Sequence, residues 1–146
     1  MFNMSSECKV TRAANAATVA TTDVVGSTID MEGYESILFI AQFGAITDGT
    51  PALKAGQGAL SDGSDAADLA GTSTALAITD DNACAMLDLV RPQKRYITPT
   101  VVRGGATGAV LNGIIAIQYN ARHKPTTQDS TVAKTELHVS PAEGTA

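Results

Sequence analysis

The run Ser36–Ile46, SILFIAQFGAI, constrains this chain more than any other. In an extended strand Ile37, Phe39, Ala41 and Phe43 fall on one side, and Leu38 and Ile40 on the other. Apolar residues on both faces mean a strand covered on both sides, or one at a subunit contact. Ala109–Asn120 (AVLNGIIAIQYN) has the same character, and its Gly113 marks a bulge or a close backbone approach. Shorter strand-like runs cover Val24–Met31, Ala52–Gln57, Thr72–Thr79, Ala83–Val90 and Tyr96–Arg103. In Ala83–Val90, Ala83, Ala85, Leu87 and Leu89 share one face and Asp88 takes the other. Pro99 points to an edge position or a bulge, because it has no ladder N–H. Turn chemistry separates the runs at Glu32-Gly33, Thr47–Pro51, Asp80–Asn82 and the Gly-rich Gly104–Gly108. Single helical turns fit only Ala13–Ala17 and Asp65–Ala70. About seven short strands with frequent turns and no long helical period read as an all-β sandwich or barrel.

The two ends differ from this middle. Residues 1–22 are small and polar without regular spacing, and after Tyr119 the pattern fades into Thr and Pro. The organisation expected is an extended arm over 1–22, a β-sandwich domain over 23–121 and an extended C-terminal tail over 122–146. At 146 residues there is room for one ordinary core.

Composition removes several classes. The formal net charge is -5, so the chain is not a globally basic nucleic-acid binder. Hydrophobic residues are 44%, too many for a disordered chain. No apolar run approaches the roughly 20 residues of a membrane span. Met1–Ala20 lacks the apolar stretch of a secretory signal, so a reducing cytoplasm is expected. Two cysteines do not make a disulfide scaffold. Cys84, in an apolar run, reads as a core residue and Cys8 as incidental, both free thiols.

Charge is unevenly placed. Residues 47–90 carry Lys54 against seven acids, whereas residues 91–124 carry six bases and no acid. Such a segment reads as solvated loop ends, or as a basic face for an acidic partner or neighbouring subunit. Nucleic acid fits less well, because only Tyr96 and Tyr119 lie near enough to stack on bases.

No catalytic or metal pattern emerges. A nucleophile needs a nearby base, and the histidines, His123 and His138, lie in the weakly patterned tail. Zinc spacings are missing. Asp62, Asp65 and Asp68 form a D-x2-D-x2-D run, but without EF-hand spacing or its closing Glu it reads as a solvated loop. Neither Gly56-Gln57-Gly58 nor Gly104–Gly108 fits a phosphate-binding motif. The chain is therefore expected not to be an enzyme and to need no cofactor.

Val24–Gly49, Asp68–Ser73 (DLAGTS), Arg91–Tyr119 and His138–Gly144 (HVSPAEG) together resemble capsid cement, or decoration, proteins of tailed double-stranded DNA bacteriophages. The resemblance implies a jelly-roll-like antiparallel β-sandwich bound in many copies outside the expanded head. It implies the major capsid protein and further copies of the chain (a trimer before a dimer) as partners, with no nucleic acid and no membrane. The arms would clamp neighbouring capsid subunits. Arg12, Arg91, Lys94, Arg95, Arg103, Arg122 and Lys124 are the candidate capsid or subunit contacts. The alternative is another virion component, such as a head–tail connector, tail-tube or fibre-base protein. A sugar-binding jelly roll is disfavoured by the scarcity of aromatics.

Overall fold

Ser36–Ile46 does become the spine of the protein. In the computed structural model it lies within a strand over Tyr34–Ile46, paired antiparallel along its length with a second strand over Ala109–Ala121. The structure describes residues 3–140 and 142–145; Met1, Phe2, Pro141 and Ala146, at the ends of the expected arm and tail, lie outside the described residues.

In chain order the elements are α1 (Met4–Glu7), β1 (Lys9–Ala14), β2 (Ala17–Ala20), β3 (Val24–Val25), β4 (Ile29–Asp30) and β5 (Tyr34–Ile46). There follow β6 (Ala52–Gly58), β7 (Ala67–Asp68), β8 (Thr74–Ala75), β9 (Cys84–Val90), β10 (Tyr96–Val102) and β11 (Ala109–Ala121). One sheet runs β1-β11-β5-β9, with β2 also on β11; the other runs β3-β10-β6-β7, with β4 on β10 and β8 on β6. Counting β1–β2, β3–β4 and β7–β8 as interrupted strands, the first sheet holds the first, eighth, third and sixth positions. The second holds the second, seventh, fourth and fifth. This is the path of a jelly roll, an antiparallel sandwich closed by two Greek keys.

The core lies between the sheets. Ile37, Phe39, Ala41 and Phe43 of β5 and Leu111, Ile114 and Ala116 of β11 point inward, as the period of two requires. They meet Leu53 and Ala55 of β6 and Ile97 and Val101 of β10. Gly113 has φ 138, and a Cβ there would sit 3.0 Å from the Ala14 carbonyl oxygen. The β11 register shifts beside it, so both readings of this glycine hold together. Pro99 is inside its sheet, between β6 and the broken pair β3 and β4. Its carbonyl accepts the Gly26 N–H (2.8 Å), so the missing proton faces the break at Gly26–Thr28. That break divides the expected Val24–Met31 strand in two.

The N-terminal arm is corrected. Residues Lys9–Ala14 form an antiparallel strand on β11, with Cys8, Thr11 and Ala13 buried. The expected helical turn at Ala13–Ala17 is absent. Small residues suit this position because β11 is closely approached there by Ala14. The turn expected at Asp65–Ala70 is likewise replaced, in part, by β7 pairing with Gly56 and Gln57. The cysteines exchange roles: Cys8 is buried and Cys84 exposed, both free. Cys84 shares the outward phase of Asp88, opposite Ala85 and Leu87.

The tail begins as a strap rather than a free end. The Val10 N–H donates to Gln128 Oε1 (2.8 Å) and the Arg12 N–H to Thr131 Oγ1 (2.9 Å). Gln128 Nε2 donates in turn to the carbonyls of Ser5 and Cys8. Side chains thus cover the outer edge of β1 without adding a strand.

Two outcomes follow. Gln128→Ala leaves edge groups of β1 without partners and should destabilise by about 1–3 kcal/mol, read from the urea midpoint. Deleting residues 1–20 removes β1, β2 and their buried side chains; circular dichroism should show loss of the cooperative transition. A truncated chain that folds normally would restore the free-arm description.

Candidate functional site

Four of the seven candidate contacts, Arg91, Lys94, Arg95 and Arg122, meet at one end of the sandwich. They line an open cleft of about 410 Å³ together with Glu32 and Glu35. The ends of β9 and β11 and the starts of β5 and β10 build it. Arg91 has φ 53 and its N–H donates to Glu35 O (2.8 Å). This left-handed turn, followed by Pro92, stops β9 and sends the chain to the other sheet. Gln57 Oε1 then accepts the N–H groups of Gln93 (3.1 Å) and Lys94 (3.3 Å), fixing the loop against β6. Across the cleft the Arg122 N–H donates to Gly33 O (2.9 Å).

The four cations are not equivalent. Arg95 donates through Nε and Nη2 to both Asp30 oxygens, each at 2.7 Å, and also to Glu32. Its guanidinium lies 5.3 Å from the centre of the Tyr96 ring. Arg95 is thereby held in place and its charge spent internally. Its hydrogen bond holds the Asp30 carboxyl below the usual carboxylate range, and Asp30 raises the Arg95 pKa in return. Arg91, Lys94 and Arg122 are exposed and form no ion pair among the described residues. They are the charges an acidic partner can meet, in a geometry set by backbone hydrogen bonds.

The other three candidates lie elsewhere. Arg12 is exposed on β1. Lys124 pairs with Glu7 of α1. Arg103 is corrected outright: it is 4% exposed, so it cannot contact a capsid. Its guanidinium donates to the carbonyls of Thr22 and Thr18 (2.6 Å each), tying β2 and the following turn to the far end of the sandwich. A buried Arg needs such partners, and its place beside a Gly-rich loop gave no sign of them.

The far end is acidic and also internally used. Asp48 accepts the N–H groups of Ala106 (2.7 Å), Thr107 (3.0 Å) and Gly108 (2.8 Å), and these bonds lower its pKa. The Asp run disperses in space. Asp62 accepts from Ser64, Asp65 from the N–H groups of Ala59 and Leu60, and Asp68 pairs with Lys54 (2.7 Å). The histidines are exposed, with His138 Nε2 3.1 Å from Glu136.

Sequence reasoning missed Glu32 and Glu35 as members of the cleft and Asp30 as the partner of Arg95. All three come from another segment, and the pairing of β4 with β10 brings Asp30 to Arg95.

The Arg95–Asp30 pair gives a signed pH dependence. A depressed folded pKa contributes stability fully present above the ordinary value of 3.8 and lost as pH falls through the lower folded value. Arg95→Met should lower the urea midpoint near neutrality and flatten its decline in acid. An unchanged acid limb would show that Asp30 contributes nothing through this pair.

No family model matches the chain, and no curated protein matches it. Among solved structures it is similar to a protein from Bacillus endospore appendages, described as a novel family of disulfide-linked pili. The identity is 15% over 77% of this chain and 88% of that one, with a TM-score of 0.46.

Proposed function

We propose that this chain is a structural virion protein of a tailed double-stranded DNA bacteriophage. It binds the outside of the expanded capsid and clamps neighbouring major capsid subunits as a cement protein. The sequence resemblance given above motivates the reading, and the basic cleft is the observation that supports it. Arg91, Lys94 and Arg122 project from one end of a rigid sandwich, with Arg95 already neutralised. Their backbones are already fixed, so meeting carboxylates orders only the side chains and not the turns that carry them.

The docked β1 and strapped tail change how a clamp works. Up to Thr131 the ends are bound to the protein's own body, so contacts to neighbours come from fixed faces. Packed DNA presses outward on a head. A clip touching two subunits makes each local opening break a second set of contacts, and repetition around a closed shell multiplies modest affinities.

Co-sedimentation of the purified protein with undecorated, expanded heads tests the reading. Binding should saturate at a copy number scaling with the shell subunits and weaken as salt rises. Lys94→Glu with Arg122→Glu should weaken it by roughly tenfold or more. Saturation at a single ring of copies would move the protein to a connector or tail, and no binding would end the proposal.

A further inference from the structure

β9 lies at the rim of its sheet, and among the described residues no strand is hydrogen-bonded to its outer side, although β6 and β8 of the other sheet pack near it. Hydrogen bonds at both ends set its phase: the Phe43 N–H donates to Ala83 O (2.9 Å) and the Arg91 N–H to Glu35 O (2.8 Å). Hydrogen-bonded pairs alternate along an antiparallel ladder. The odd-numbered residues of β9 therefore bond to β5, and Cys84, Met86, Asp88 and Val90 aim their amides and carbonyls outward.

The other rims are closed or short. β1 is capped by Gln128 and Thr131. Thr18 of β2 gives its carbonyl to Arg103. The second sheet ends in β3, β4, β7 and β8, of two residues each. β9 has seven residues and pairs with β5 without a register shift. It carries none of the Lys, Pro or bulge devices that guard an edge. Its one charge, Asp88, accepts the Tyr119 hydroxyl (2.7 Å), which engages it over the sheet face. Met86 is 58% and Val90 65% exposed, and Leu87 and Leu89 are only half-buried at the same rim.

We propose that a second copy of this chain pairs along β9, antiparallel, about a two-fold axis beside Leu87. This interface does not rest on the virion reading; it takes Arg91 and leaves Lys94 and Arg122 free in the cleft. In this register Cys84 lies opposite Val90 and Met86 opposite Asp88 of the second copy, so all the outward groups find partners. Leu87 meets Leu87 of the second copy as a non-hydrogen-bonded pair, where side chains approach most closely. A register one step along would set Asp88 against itself, which like charge disfavours. Charge complements the pairing. The antiparallel arrangement brings the Arg91 end of β9 toward the acidic end of the second copy's β9, where Asp80 and Asp81 keep their negative charge while accepting the N–H groups of Ala77 (2.8 Å) and Ile46 (2.6 Å). The relation occurs twice by symmetry. The chain turns away at Pro92, so Lys94 and Arg122 stay in their cleft.

Sedimentation equilibrium of the full chain over a wide concentration range tests this. The wild type should form a dimer that weakens with salt. Met86→Glu, at an exposed position opposite Asp88 of the second copy, should raise its dissociation constant by roughly tenfold or more, and Arg91→Glu should weaken it as well. Circular dichroism confirms that the variants remain folded. Hydrogen exchange should show protection of the Met86 and Asp88 amides rising with protein concentration. A monomer at every concentration, a trimer or ring, or a dimer unaffected by Met86→Glu would overturn the proposal.

Discussion

The β5–β11 pair is the constraint on which the rest of the sandwich depends. Each strand has 13 residues, and their register runs from Tyr34 opposite Ala121 to Ile46 opposite Ala109. Every other strand of that sheet pairs with one of these two. Their inner faces supply Phe39, Phe43, Ile37, Leu111 and Ile114, among the largest fully buried side chains. A strand pair this distant in sequence has a large loop-closure cost, and the apolar surface buried between the sheets offsets it. The bulge at Gly113 bends β11 so that β1 and β2 can share its other edge.

Around that spine, charge is used mainly for internal fastening. Arg103 and Asp48 close the far end: one guanidinium collects carbonyls of β2 and the turn after it, and one carboxylate collects loop amides. Arg95 and Asp30 close the near end. The chain is only 17% charged, so few cations remain. Arg91, Lys94 and Arg122 project from the same end because the turns holding them satisfy their backbone groups elsewhere.

Much of the fold was legible because its signals were local. Alternation marked the inner faces of β5 and β11, and Gly and Asp placed the turns. Gly113 announced its bulge because few other residues suit φ 138. What escaped depended on partners. Residues 9–14 lacked large apolar side chains, so their burial against β11 was invisible from spacing alone. Cys84 was misplaced by its apolar surroundings, although the phase of Ala85 and Leu87 already put it outside. The basic segment was visible as a run of charges. Its division into a buried latch at Arg103, a neutralised Arg95 and free cations in the cleft was not. That division depends on Asp30, Glu32 and the Thr18 and Thr22 carbonyls, all distant in sequence.

The apolar outer face of the first sheet links stability to assembly. Leu38, Ile40, Ile115 and Ile117 lie on it, each half-buried. Tyr119 crosses part of this face to reach Asp88, covering Ser36, which is fully buried on the outward side. A face this apolar stays soluble when its edges are controlled, since strand addition is the route by which such sheets associate. The tail closes one edge through side chains that end the ladder at β1. The opposite edge, β9, keeps its backbone groups available in a single phase. Growth from that edge is self-limiting: once β9 meets its two-fold mate, neither copy retains a long open rim. The same edge that threatens indefinite stacking would thereby limit assembly to a pair.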